Sequence, residues 1–286
     1  MSSSPSPNAP SSSSNAQPPP GETKHYTTNV DLYDGWASTY DTDGNILPMV
    51  DDLVFNERIV PLLLSSSASG PKRVLEIGCG TGRNTVKIKQ NLPLGSTIYA
   101  IDVSEGMMAE AQKKIHEMGY GASSSSTPSS GFTICVITDV QWALIDVQTQ
   151  RLELTALIGE NDPVDIVIST LVLEHVGLDT FFSAVTAHLK VGGWAWISTM
   201  HPFIGANTGA GYRRSEDGVK VHGVSYNYEI QEVVDAAKVH GLEVDGEIVE
   251  AGVGDDEQEA VAKFGQRAKK AVGWKIFAGF LFRKTA

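Results

Sequence analysis

Val74-Leu75-Glu76-Ile77-Gly78-Cys79-Gly80-Thr81-Gly82 carries an apolar strand into one carboxylate and then into three glycines at alternate positions, ahead of a helical segment. Glycine has no Cβ, so a ligand can lie close against the main chain and the turn can take positive φ without strain. The helix that follows aims its unpaired N–H groups at the same spot. Twenty residues past Gly82, the apolar run Ile98-Tyr99-Ala100-Ile101 ends in Asp102, a position from which a carboxylate accepts hydrogen bonds from both hydroxyls of a ribose. Two strand ends facing one crevice imply a nucleoside ligand.

Around this centre the pattern alternates. Strands are expected over Arg73–Ile77 and Thr97–Ile101, with helices Asn84–Asn91 and Met107–Glu117 between and after them. A third strand is read over Thr133–Thr138, ending at Asp139, and a central parallel strand over Val164-Asp165-Ile166-Val167-Ile168. Trp142 through Ile158 reads as helical or irregular. Helix Asp179–Leu189, stopped by Gly192-Gly193, leads into strand Trp194–Thr199. Helix Tyr228–His240 precedes two last strands, about Leu242–Ala251 and Gly273–Arg283, with an acidic helix between them. Strands alternating with helices predict an α/β, Rossmann-like, doubly wound sheet.

At 286 residues the chain suits one domain with extras. Residues 1–24, rich in Ser and Pro, have too little apolar surface to offset the entropy of ordering and are expected to be a disordered tail. Residues 25–286 form the domain: a helical cap (25–70), the ligand-binding core (71–200), an irregular insert (201–227) and closing helices and strands (228–286). Gly121 to Gly131 is expected to be a mobile serine-rich loop. No signal peptide and no apolar run of the ~20 residues that cross a bilayer are present, so a soluble, cytoplasmic protein without a membrane partner is expected.

A formal charge of −12 works against a polyanionic partner, because nucleic-acid affinity rests on Lys and Arg neutralising phosphates. The cluster Lys263, Arg267, Lys269 and Lys270 reads as a solvated helix face. Cys79 and Cys135 offer neither a disulfide framework nor a zinc set and are expected to be small buried fillers. No carboxylate cluster suggests a metal.

The glycine spacing narrows the ligand. A dinucleotide fingerprint is G-x-G-x-x-G, and its sixth position here is Arg83. Glu76, Ile77 and then G-x-G-x-G resemble the first motif of class I S-adenosylmethionine-dependent methyltransferases, small-molecule branch. The resemblance runs from about Tyr33 to Lys284. It implies a seven-stranded, mostly parallel sheet with one antiparallel strand near the C-terminus, and S-adenosylmethionine as cofactor. By it, Glu76 lies near the methionine ammonium, the loop Gly78, Cys79, Gly80 to Gly82 runs past methionine and ribose, and Asp102 holds the ribose. Val103-Ser104-Glu105-Gly106-Met107 looks like the segment in which residues matching Val103 and Met107 pack on the adenine. Asp139 matches the acceptor of the adenine amino group, and Val140 the neighbour whose N–H meets the ring. Ser169-Thr170-Leu171-Val172-Leu173-Glu174-His175-Val176 resembles the loop after strand four, with Thr170 among the donor-binding residues, and Leu189-Lys190-Val191-Gly192-Gly193 resembles the turn before strand five.

Tyr33, Trp36 and Tyr40 resemble the amino-terminal helix that closes over the donor. Trp36 reads as core, and the Tyr40 hydroxyl as a partner for the methionine carboxylate. No N/D-P-P-Y/F pattern follows strand four, which directs the expectation to a small-molecule acceptor. His175 and His201 fall where the family puts its acceptor pocket, and an imidazole titrates where proton removal is useful; each reads either as a general base or as a histidine satisfied by a backbone carbonyl. Pro202 to Tyr226, with Tyr212, Arg213, Arg214 and His222, reads as a lid or acceptor-selecting insert. A nicotinamide-dependent oxidoreductase and a non-catalytic partner that keeps the same fold stand as alternatives. Acceptor identity and oligomeric state are not legible.

Overall fold

Apolar runs free of turn residues become the strands that carry the site, and amphipathic stripes between them become the helices that cover it. The structure, a computed structural model, describes residues 24–66, 69–119, 123–126, 134–137, 139–206 and 208–285. Strand β1 (Lys24–Tyr26) leads into helices α1 (Asn29–Trp36), α2 (Ile46–Val54) and α3 (Val60–Ser66). Thr28 and Asn45 start α1 and α2 by accepting the first free N–H groups with their side chains. The first βαβ unit is β2 (Arg73–Ile77), α4 (Arg83–Asn91) and β3 (Thr97–Asp102), followed by α5 (Glu105–Glu117) with Met107, Met108, Ala111 and Ile115 buried along one stripe. Strands β4 (Ser123–Ser126), β5 (Ile134–Ile137) and β6 (Val140–Leu144), helix α6 (Arg151–Ile158), strand β7 (Val164–Thr170), helix α7 (Leu178–His188) and strand β8 (Leu189–Met200) follow. The chain closes with α8 (Pro202–Gly205), β9 (Gly211–Arg213), β10 (Lys220–His222), α9 (Ile230–Val239), β11 (Leu242–Val244), β12 (Val249–Gly252), α10 (Glu257–Phe264) and β13 (Lys275–Lys284).

The main sheet has the order β11-β13-β8-β7-β2-β3-β6-β5-β4, with β12 also on β13. Its centre, β8-β7-β2-β3-β6, is parallel, and β13 runs antiparallel to β8. Successive strand residues serve opposite faces. Val74, Ile98 and Ala100 join the core under α2, α3, α4, α5 and α10, while Leu75, Tyr99 and Ile101 join the core under α6, α7 and α9. The fold is therefore Rossmann-like and doubly wound, as the sequence implies.

Three details differ from the sequence expectation. The sheet has ten strands rather than seven, because β4 and β5 extend one edge and the run read as a single strand, Leu242–Ala251, breaks into β11 and β12 around Gly246 at φ +102°. The strand that joins β3 in parallel is β6, Val140–Leu144, in the stretch read as helical or irregular; β5 is only its antiparallel neighbour, reached by a turn at Asp139 with φ +61°. Finally, Gly192-Gly193 lies inside β8 instead of ending a helix, since α7 already stops at His188.

The insert is less irregular than its composition suggests. Strands β9 and β10 form a hairpin, and β1 adds to β10 in parallel, giving a separate three-stranded sheet. Of the expected tail only Lys24, in β1, is described; most of the serine-rich loop and the Cys135 side chain also lie outside the described residues. Among the described residues no helix is long and apolar enough to cross a membrane.

Candidate functional site

The parallel strands end on one side of the sheet, and β2 and β3 bring their terminal acids there. Beyond β2, Gly78, Gly80 and Gly82 take φ values of +72°, +54° and +77°. Gly78 and Cys79 donate their N–H groups to Ile101 O at 2.8 and 2.9 Å, so the loop is stitched to β3. A side chain on Gly78 would strike Val172, and one on Gly82 would strike Ala111, whereas the Cβ direction of Gly80 is open. Asp102 Oδ2 accepts from Gly80 N at 2.7 Å, and its Oδ1 accepts from Ser104 N at 2.9 Å. Each oxygen keeps a lone pair for a further donor.

This loop bounds a cavity of roughly 200 Å³. One wall is Glu76, Gly78, Cys79, Gly80, Asp102, Val103 and Met107. A second is the segment after β6, Ile145 to Gln148. The third is the turn after β7, with Thr170, Leu171, Val172, His175 and Val176. Asn29, Val30, Tyr33 and Tyr40 close it from the cap. Such a crevice outside the carboxyl ends of parallel strands is where open α/β sheets bind ligands.

Electrostatics divides the lining. Burial pushes the Glu76 carboxyl up to about 8, against a bond from the Thr85 hydroxyl at 2.6 Å that favours the charged form. Burial also raises Asp102, opposed by the N–H groups of Ser104 and Gly80. The Cys79 thiol is pushed well above its usual value by burial, which makes it a poor nucleophile. Arg83 is cancelled locally: its Nη2 meets the fully buried Asp51 at 2.8 Å and its Nη1 meets Asp52 at 2.6 Å. Asp51 also accepts from Asn84 and Ser198, and Asn84 reaches Thr170 Oγ1 at 2.9 Å, so α2, α4, β7 and β8 share one polar network beneath the cavity.

The cap is fastened by carboxylates. Asp34 Oδ1 accepts from Ser104 Oγ and Gly106 N at 2.5 and 2.9 Å, at the start of α5, and Asp41 accepts from Thr81 and Lys114. Trp36 is buried, stacks between Tyr33 and Tyr212, and donates its Nε1–H to Asp43. Tyr33 faces His175, its hydroxyl 2.7 Å from Nε2; His175 Nδ1 is 2.9 Å from Val224 O, and Val224 N donates to Asn29 Oδ1 at 2.8 Å.

Four of the residues expected to bind the donor or act as general base do not line the cavity. Asp139 and Val140 stand at the opposite end of the sheet, because β6 begins where the third strand was read to end; Asp139 pairs with Lys89 at 2.9 Å, and Val140 is level with Ile98. The acid that β6 does deliver to the cavity is Asp146. His201, at the end of β8, is buried and committed: Nδ1 accepts from Phe203 N, capping α8, and Nε2 lies 2.8 Å from Glu250 on β12. With both ring nitrogens engaged and its side chain outside the lining, His201 supplies no base to this cavity. Gly82 serves instead as the left-handed cap of α4. Arg213 donates to Gly218 O and Arg214 pairs with Asp217, both within the insert. Sequence reasoning missed Asn29, Asp146 and Gln148; for Asp146 the signal was available, an acid following the apolar run Ala143-Leu144-Ile145.

The comparisons agree with this fold. A family model described as a methyltransferase domain matches residues 75–197, and the model of the ubiE/COQ5 methyltransferase family matches residues 22–126. An uncharacterized methyltransferase of Emericella nidulans is 30% identical over 275 residues, covering 91% of this chain and 92% of that protein. Among solved structures, the magnesium protoporphyrin IX methyltransferase of Synechocystis PCC 6803 with bound S-adenosylhomocysteine is 15% identical with a TM-score of 0.53, covering 90% of this chain and 95% of that one. An S-adenosylmethionine-dependent methyltransferase from Clostridium acetobutylicum is 14% identical with a TM-score of 0.52, covering 90% and 97%.

Proposed function

Since this chain belongs to the class I S-adenosylmethionine-dependent methyltransferase family, with S-adenosylmethionine as its methyl donor, we propose that it methylates an O, N, S or C nucleophile on a small-molecule acceptor. The observation that supports the acceptor class is that α1 lines the cavity with Asn29, Val30 and Tyr33, and that Val224 of the insert bonds Asn29, so the cap narrows the crevice in the way that suits a compact acceptor. The formal charge of −12 supports it, since no excess of cations would draw in nucleic acid.

The residues fit the donor. The open Cβ side of Gly80 admits a ligand against bare main chain, Asp102 retains acceptor capacity for two ribose hydroxyls, and Glu76 is a buried carboxyl suited to an ammonium group. Val103 and Met107 supply an apolar contact for adenine. Asp146, at the true end of the third parallel strand, takes the part of acceptor for the adenine amino group that sequence reasoning gave to Asp139. Tyr40 and Thr170 also line the cavity, where the Tyr40 hydroxyl would hold the methionine carboxylate.

The donor's sulfonium supplies an electrophilic methyl group. The chain has to align a nucleophile behind it and exclude water, and such positioning is worth ~7–11 kcal/mol of barrier. Where the acceptor must lose a proton, His175 is the base within the cavity, and a positioned base adds ~10²–10⁴-fold. Family membership displaces the nicotinamide-dependent reading.

The test is incubation of the protein with isotopically labelled S-adenosylmethionine and a cell extract, followed by identification of the labelled compounds. Label on a small molecule is expected. Label confined to nucleic acid or protein would overturn the acceptor class, and binding without any transfer would favour a non-catalytic partner.

A further inference from the structure

The cavity has two chemically different ends. Its charged side chains, Glu76, Arg83, Asp102 and Asp146, all belong to the segments around β2, β3 and β6. The end formed by α1 and the turn after β7 presents Asn29, Tyr33, Val172, His175 and Val176, with Gln148 beside them, and no formal charge. The lining there offers no carboxylate or guanidinium to an ammonium, carboxylate or phosphate acceptor, because the Glu174 carboxyl of the same turn is directed onto Thr199 Oγ1 at 3.0 Å.

The hydrogen bonds at that end define a direction for protons. Val224 O can only accept, so the proton on His175 Nδ1 points to it across 2.9 Å. His175 Nε2 is then the ring's lone-pair nitrogen, and the Tyr33 hydroxyl donates to it across 2.7 Å. The arrangement is held from outside the ring: Asn29 Oδ1 fixes the Val224 peptide through its N–H, and Tyr226 N bonds Glu174 O next to His175. Asn29 Nδ2 also lies 3.3 Å from Nδ1, a longer contact than the 2.9 Å to Val224 O, so the carbonyl decides where the Nδ1 proton points. The Tyr33 oxygen retains lone pairs, and burial keeps its phenol neutral, with Tyr40, Glu174 and Asp102 the titratable groups acting on it.

A base poised in this way has no use for a neutral amine, which attacks without prior loss of a proton, and none for a charged acceptor that this end cannot hold. Resting on the methyl-transfer reading, we propose that the acceptor is an uncharged molecule bearing a phenolic or enolic O–H, deprotonated through Tyr33 into His175, with Asn29 as the positioning residue that sets the His175 tautomer. The acceptor proton moves to the Tyr33 oxygen while the Tyr33 proton moves to Nε2. The acceptor oxygen forms its bond to the methyl carbon as the sulfur–carbon bond breaks and sulfur keeps the electron pair. The products are a methyl ether, S-adenosylhomocysteine and an imidazolium whose Nδ1–H remains on Val224 O, so the donor's positive charge ends on His175.

The experiment uses the full chain, S-adenosylhomocysteine and para-nitrophenol, whose phenolate absorbs visibly and whose neutral form does not. At a pH where free para-nitrophenol is mainly neutral, the wild-type complex with S-adenosylhomocysteine should show the phenolate band, and Tyr33→Phe and His175→Ala should lose it while S-adenosylhomocysteine affinity, read by calorimetry, is unchanged. Nitrogen NMR of histidine-labelled protein should find His175 with its proton on Nδ1, a shift at Nε2 alone in Tyr33→Phe, and mixed tautomers in Asn29→Ala. No binding of the phenol, no phenolate band, a band that survives in Tyr33→Phe, or a proton on Nε2 would each overturn the proposal. Failure of the wild type to bind S-adenosylhomocysteine would overturn the methyl-transfer reading instead.

Discussion

Glu76 shows how one buried side chain couples ligand binding to pH. Its native value of about 8 lies above the usual 4.5, so the unfolded chain loses this proton first as pH rises. Unliganded stability should therefore be greatest below about pH 4.5 as far as this group is concerned, and should fall as pH climbs towards 8, by up to roughly 1.4 kcal/mol per pH unit. Denaturant melts across that range should show the slope in the wild type and a flatter one in Glu76→Gln. In the proposed donor mode an ammonium stabilises the carboxylate, so binding near neutral pH should release a proton, detectable as a buffer-dependent calorimetric enthalpy. Asp102 should be the stronger determinant of affinity: Asp102→Ala removes an acceptor that also holds Gly80 and Ser104, and a loss of about 2–3 kcal/mol in S-adenosylhomocysteine binding is expected by calorimetry. Gly78→Ala meets both a positive φ and the Val172 side chain, and thermal melts should show it destabilised by about 1–3 kcal/mol.

Elements are tied to one another by polar contacts that no periodicity reveals. Asp51 on α2 meets Arg83 and Asn84 on α4 and Ser198 on β8, with none of its surface exposed. Asp51→Ala leaves those donors without their buried acceptor and should cost about 3 kcal/mol in denaturant unfolding. Strands β2, β3, β7 and β8 were legible because each is an apolar run delivering a marked residue, and the glycine loop was legible because its spacing admits few structures. The third parallel strand was not. Two apolar runs lie either side of Asp139, both with strand character, and alternation within a run cannot say which of them pairs with β3. Register is a property of the partner, and it decided whether Asp139 or Asp146 would face the ligand. His201 failed for a similar reason: its position after β8 was read correctly, but Glu250 and Phe203 N, which occupy both ring nitrogens, come from elements whose contact with β8 the sequence does not show.

Over the whole molecule, the central strands and α2 and α3 are held by a core on each face of the sheet, whereas α1 rests on α5 through the small cluster of Trp36, Ala37 and Met107, the ties of Asp34 and Asp41, and the small sheet of β1, β9 and β10. A ligand bound beneath the cap stabilises the native state by mass action, about 2.7 kcal/mol at a hundred times its dissociation constant. That protection should not be uniform: S-adenosylhomocysteine should slow hydrogen exchange in α1 and the 211–226 segment far more than in β2, β3 and β7, and uniform slowing would contradict a separately opening cap. The small sheet has one more implication. Its first strand precedes the hairpin it pairs with by nearly two hundred residues. During translation this small sheet stays open until β10 has emerged, so α1 gains that anchor only after the strands that carry the glycine loop and Asp102 have been made.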